Sequence, residues 1–199
     1  QQTTTGNQNA AVGYLALNAN TTGTSNTALG YGALGVSTAS FNTAVGSQSM
    51  QSNTTGTQNV AIGYNSLATN SVSSSNTAIG YNALTLNTAS NNTAIGALAL
   101  QANTTGSSNI AIGNSTLALN TNGSGSVGVG YQTLSSSTST NPNTAIGYSS
   151  MQSNTTGNNN TTLGYYSLRG NTTGLNNTAV GHNSLTVATA SGITAVGSQ

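Results

Sequence analysis

Aliphatic and polar residues alternate through short pieces such as Asn76-Thr77-Ala78-Ile79-Gly80-Tyr81, and that piece recurs from one end of the chain to the other. Its glycine falls at 13, 30, 46, 63, 80, 96, 113, 130, 147, 164, 181 and 197, twelve copies separated by 16 or 17 residues. The residue before that glycine is Val, Leu or Ile in all twelve copies. A second aliphatic column, four residues after the glycine, is Leu in each of the eleven complete copies except at Met50 and Met151. A unit this short cannot bury a core alone, so the pattern predicts coils stacked into a solenoid. The β-branched residues, the glycine in every unit and the shortness of each apolar piece predict strands rather than helices. Each coil is expected to hold two, one around Thr77-Ala78-Ile79 and one around Ala83-Leu84. The fold class that follows is all-β, a parallel β-solenoid of about twelve coils of 16–17 residues, as a single continuous array over residues 1–199.

Two kinds of turn separate the pieces. Asn20-Thr21-Thr22-Gly23 recurs at 53–56, 103–106, 154–157 and 171–174, where Asn can bond its own backbone and Gly can take positive φ. Ser37-Thr38-Ala39-Ser40 recurs at 87–90 and 188–191, and these are the 16-residue coils, with Val36, Leu86 and Val187 suggesting a longer second strand. The two turn types alternate with a superperiod near 50 residues, as between Gly30, Gly80 and Gly130, so three coils form a candidate duplicated unit. The least regular turn runs from Ser135 to Asn143 and contains Pro142, outside both predicted strands, where a missing N–H costs no ladder bond. Residues 1–13, with Thr4-Thr5-Gly6, and 194–199 are in phase with the repeat and unlike capping segments. This leads to the expectation of a segment of a longer fibrous protein, or of one whose ends meet other subunits.

Side chains alternate across a strand, so Thr77 and Ile79 share one face while Asn76, Ala78 and Gly80 share the other. The rule that large aliphatics go inside places the Ile column in the core, with the Thr column beside it. A smooth strip of Asn, Ala and Gly is then left outside, suited to close approach by a neighbour. In the second piece Leu points inward and Gln51, Gln101, Gln152 and Arg169 point to water. Two large aliphatic side chains per coil supply about 3–6 kcal/mol before entropy, against a larger cost of ordering the backbone. A lone rod, on the order of 53 Å long at roughly 4.8 Å per coil, would be marginal, which predicts oligomerisation.

Charge removes whole classes of function. Arg169 is the only Lys or Arg, His182 the only histidine, and Asp and Glu are absent. No acid–base pair, carboxylate metal site or triad can be assembled, so neither enzyme activity nor a cofactor is expected. One arginine in 199 residues cannot neutralise a polyanion, so no nucleic acid is expected as partner. No apolar run approaches the roughly 20 residues that span a bilayer, so no membrane insertion is expected. The Asn-, Thr-, Ser- and Gly-rich composition would suit disorder, but the strict phase of the aliphatic columns argues for a fold.

Four columns carry candidate roles. Asn9, Asn26, Asn42, Asn59, Asn76, Asn92, Asn109, Asn143, Asn160 and Asn177 suit a structural ladder bonding from coil to coil, or a turn-entry residue satisfying local backbone. Tyr14, Tyr31, Tyr64, Tyr81, Tyr131, Tyr148 and Tyr165 follow the core glycine, with His182 in the same column. They are candidate ligand-binding residues, through exposed rings that stack on sugars, or a packing ladder with hydroxyls in water. The Thr column (Thr27, Thr43, Thr77, Thr93, Thr144, Thr161, Thr178, Thr194) is similar to ice-binding surfaces on flat, uncharged solenoids, but Ala10, Val60, Ile110 and Val127 interrupt it and β-branched packing also explains it. The triplets at Asn20, Asn53, Asn103, Asn154 and Asn171 match the N-x-[ST] glycosylation sequon, which turn chemistry explains without sugar.

The units Asn76-Thr77-Ala78-Ile79-Gly80, Asn92-Thr93-Ala94-Ile95-Gly96 and Asn59-Val60-Ala61-Ile62-Gly63 resemble the N-S-V-A-I-G repeats of trimeric autotransporter adhesin heads, and the T-A-I-G-Y form resembles phage-type tail-fibre repeats. The resemblance covers the whole chain. It implies a left-handed parallel β-roll in a homotrimer, extracellular on a cell or virion surface, that attaches to host-surface glycan or protein. The coils here are somewhat longer than those common in adhesin heads, and the neck and stalk of that family are absent from this sequence. The function expected is a structural and adhesive extracellular fibre segment, with self as main partner. The alternatives are an ice-binding β-solenoid and an extracellular filament subunit that stacks end to end.

Overall fold

The computed structural model describes residues 5–139, 142–187 and 189–198. Thr4, Thr140, Asn141, Ala188 and Gln199, which figure in the turns and ends above, lie outside them. The fold is an all-β parallel β-solenoid. Its twelve short strands run from β1 (Ala10–Val12) to β12 (Thr194–Val196) and pair in chain order into one sheet. Register is kept throughout: in β5 (Thr77–Ile79) and β6 (Thr93–Ile95), Thr77 lies beside Thr93, Ala78 beside Ala94 and Ile79 beside Ile95. That pairing spans a 16-residue coil, so the missing residue is absorbed by the turn and leaves the strand phase intact. The strands on either side of Pro142 also stay in step: β8 (Val127–Val129) pairs in register with β9 (Thr144–Ile146), and β9 with β10 (Thr161–Leu163).

The expected second strand is not a strand. Residues 81–86 form consecutive turns, in which Asn82 has φ 52° and Leu84 φ 51° while Ala83 between them stays at negative φ. Every member of the Leu/Met column is left-handed, with φ between 47° at Leu17 and 54° at Leu185. A left-handed non-glycine residue costs roughly 1–2 kcal/mol. Complete burial of Leu84 returns about 1.5–3 kcal/mol. The backbone also remains bonded between coils there: Leu84 N–H donates to the Ala99 carbonyl at 3.0 Å.

The faces of the strand are also reversed from expectation. Ala44, Ala61, Ala78, Ala94, Ala111, Ala145 and Ala179 are fully buried, whereas the aliphatic column points outward, with Leu29 47% and Leu163 51% exposed. The Thr column shares that outer face. The reason is width. A coil of 16–17 residues closes on a thin interior, the Leu column fills it from the far side, and opposite it only a small side chain fits, Ala in most coils and Gly128 or Thr162 in two others. A Cβ placed on Gly128, in the Ala column, would meet Thr116 Cγ2 at 2.7 Å and Leu117 Cδ1 at 3.6 Å. The Asn and Ala of the strip predicted to face a neighbour are therefore the inner lining of the coil, and the glycine that follows is half-buried at its corner.

Candidate functional site

The Asn column lies inside the solenoid, at the entrance to each strand. Asn76 N–H donates to Asn59 Oδ1 at 3.0 Å, and Asn92 N–H to Asn76 Oδ1 at 2.9 Å, so each side-chain amide extends the sheet by one bond. The other end of the amide holds the turn of the next coil: Nδ2 of Asn42, Asn59, Asn92, Asn143 and Asn160 donates to Gly56, Ser73, Gly106, Gly157 and Gly174 carbonyls at 2.8–2.9 Å. Asn9, Asn26, Asn109 and Asn177 do likewise, to Gly23, Ala39, Gly123 and Ala190. Ser126, which sequence reading left out of the column, keeps the ladder going by accepting from Asn143 N–H at 3.2 Å.

A second buried ladder was missed by sequence reading. Asn20, Ser37, Asn53, Asn70, Asn87, Asn103, Asn120, Ser137, Asn154 and Asn171 are all enclosed at the turn. These include the asparagines of the five N-T-T-G turns. Nδ2 of Asn20, Asn53, Asn103, Asn154 and Asn171 donates to the glycine carbonyl three residues on, at 2.8–3.2 Å. A sugar on any of them would have to leave the interior and abandon that bond. The signal was present in the N-T-T-G spacing, but burial depends on where the coil closes.

The Tyr column lies outside and is stacked. Ring centroids are 5.8 Å apart for Tyr14 and Tyr31, 5.7 Å for Tyr64 and Tyr81, 5.1 Å for Tyr131 and Tyr148, and 5.2 Å for Tyr148 and Tyr165. His182 continues the last stack 5.1 Å from Tyr165. Ser47, Ala97 and Asn114 break the column into three stacks. Within a stack neighbouring rings partly cover one another, so a ligand meets chiefly edges and hydroxyls. Tyr166 stands outside the column, 4.1 Å from the Tyr165 ring. Hydrogen bonding to Tyr166, aided by slight desolvation, raises the Tyr165 phenol above its ordinary value of 10.0.

The largest uniform surface is the outer strand face. In every coil it carries one aliphatic residue and, beside it, Thr or one of Ala10, Val60, Ile110 and Val127. It contains no charged residue and no glycine. With a strand spacing near 4.8 Å it amounts to an apolar and hydroxyl-bearing band on the order of 500 Å². No helix among the described residues is long and apolar enough to cross a membrane. No family model, curated protein or solved structure matches this chain, so the reading of its function rests on these surfaces.

Proposed function

We propose that this chain is a structural and adhesive segment of an extracellular fibre, non-catalytic, in which copies pack side by side through the outer strand face. The observation that supports it is the outward aliphatic column, Val, Leu or Ile in all twelve coils. A band of this size sits at the upper end of what an isolated monomer exposes, and burying it in an assembly removes that cost. The four departures in the neighbouring Thr column, Ala10, Val60, Ile110 and Val127, are all apolar, which suits a buried contact. Copies of one solenoid share a coil pitch, so their columns match along the whole length, and the near-absence of charge leaves no repulsion between them. Three copies is the number that the resemblance to trimeric adhesin heads and tail fibres implies. The Tyr stacks and their hydroxyls are left to contact a host-surface glycan or protein.

Sedimentation of residues 1–199 tests the assembly. The mass expected is three times 19.5 kDa, falling to 19.5 kDa when Ile95 and Ile112, both outward, are replaced by Lys. A wild-type mass of 19.5 kDa overturns the assembly.

One observation favours a second reading, ice binding. The Thr column lies on the outside, in register with a second outward column on a parallel sheet. A monomer that alters ice growth at millimolar concentration would support it, and unchanged ice growth would remove it.

A further inference from the structure

Three departures from the repeat meet at one place near the C-terminal end. Tyr166 occupies a left-handed position, φ 54°, where other coils have Asn, Gly, Ser, Gln or Leu and none has another aromatic residue. Arg169 follows the buried Leu, where Gln51, Gln101 and Gln152 stand in other coils. Gly170 replaces residues such as Ser153 and Val187 and leaves bare backbone. Together with Ser153, Asn183 and Thr186 they line a surface cavity of about 490 Å³.

The arginine in it is held and uncompensated. Its guanidinium carbon lies 4.3 Å from the Tyr166 ring centroid, a cation–π contact. Its Nε donates to Gln152 Oε1 at 3.0 Å, and Gln152 Nε2 in turn donates to Gln132 Oε1 at 2.9 Å. The stack and the glutamine relay restrain the guanidinium plane, and the residue lines the cavity. No Asp or Glu exists in the chain to neutralise it. A guanidinium with its fork free pairs best with a planar carboxylate, by two parallel hydrogen bonds. Beside the apolar Val187, the rest of the lining offers the hydroxyl and amide groups of Ser153, Asn183 and Thr186, of the kind that bond sugar hydroxyls.

We propose that this cavity is a binding site for a carboxylated sugar, with Arg169 taking the carboxylate, Ser153, Asn183 and Thr186 the ring hydroxyls, and Tyr166 and Gln152 as positioning residues. The proposal deepens the adhesive part of the reading above by naming its ligand class, and it does not depend on the number of copies in the assembly.

The chain has a single arginine, so a ¹⁵N-labelled sample shows one arginine Nε–Hε resonance, and that resonance reports the site. Sodium glucuronate, glucose and sodium sulfate would each be titrated against it. The result expected is a saturable shift with glucuronate at about tenfold lower concentration than with either of the others, the factor a charge-assisted pair plus hydroxyl bonds supplies. Arg169→Gln and Tyr166→Asn restore residues the repeat itself uses at these positions, so both fold. Saturation-transfer signal from glucuronate should weaken about tenfold in Arg169→Gln, and also, by a smaller factor, in Tyr166→Asn. An equal response to sulfate overturns the proposal by showing an unselective anion contact, and an equal response to glucose overturns the role of the charge. No response to glucuronate overturns the site, while a trimeric mass in the same sample keeps the fibre reading standing.

Discussion

Gly128 lies against Thr116 across the interior: a Cβ on Gly128 would come within 2.7 Å of Thr116 Cγ2. Thr116 cannot swing aside, because its Oγ1 donates to the Gly130 carbonyl at 2.5 Å and its β-branched side chain is stiff. Most other coils have Ala in the strand and Ala or Ser opposite. Gly128→Ala should destabilise by about 1–3 kcal/mol, as overpacking does. Adding Thr116→Ser, which removes only Cγ2, should recover most of that loss. Urea unfolding of the two single variants and the double variant gives the coupling; additive effects would mean the two residues do not share the space.

Two glycines at positive φ differ in what surrounds them. Gly80 has φ +137°, and a Cβ there would sit 2.6 Å from the carbonyl carbon of Gly96 in the next coil. Gly32 has φ +66° with nothing within 4 Å of its would-be Cβ, and its counterparts Asn65 and Asn82 take φ 55° and 52° without strain on neighbours. Gly80→Ala should cost more than about 3 kcal/mol and break the stack locally. Gly32→Asn should change stability by about 0.5 kcal/mol or less. Thermal unfolding followed by circular dichroism distinguishes the two.

Asn87 interrupts both inner ladders. Its Nδ2 takes the Ala89 carbonyl at 2.6 Å, the acceptor that Asn76 Nδ2 would otherwise use, and Asn76 Nδ2 and Asn70 Oδ1 are left buried without partners. In the matching coil Ser37 stands at this place, and Asn26 Nδ2 reaches the Ala39 carbonyl at 2.7 Å. Asn87→Ser should therefore be neutral or stabilising by up to about 1 kcal/mol. Asn53→Ser removes a bond to Gly56 at 2.9 Å and one from Asn70 at 3.1 Å, and should cost about 1–3 kcal/mol. Equal losses in the two variants would show that Asn87 is a normal rung.

Tyr165 should titrate late. The fold favours its neutral phenol, chiefly through hydrogen bonding to Tyr166, so its pKa lies above the ordinary 10.0. Because the folded value is raised, the contribution to stability is complete below the unfolded pKa and disappears as pH rises through the folded one. Ultraviolet titration should show one tyrosine ionising above pH 10.0 and returning toward it in Tyr166→Asn. An unchanged profile would remove the Tyr166 hydroxyl as the cause.

The repeat by itself determined the solenoid. A strict phase of 16–17 residues, an aliphatic residue before every core glycine and the absence of room for a core in one unit leave stacking as the way to bury Leu84 and its equivalents. The Asn column was legible too, because an amide recurring at coil spacing has a partner in the next coil. What lies inside was decided only by the closed coil. Alternation tells which residues share a face but not which face is in, and Ala78 rather than Ile79 faces inward because Leu84 already fills a thin interior. The left-handed leucines were hidden for a related reason: leucine disfavours positive φ locally, and its burial together with the bonds between coils overrides that preference only after stacking. The meeting of Tyr166, Arg169 and Gly170 with residues of the neighbouring coils at one cavity likewise depends on how successive turns lie over one another, and no single repeat contains that information.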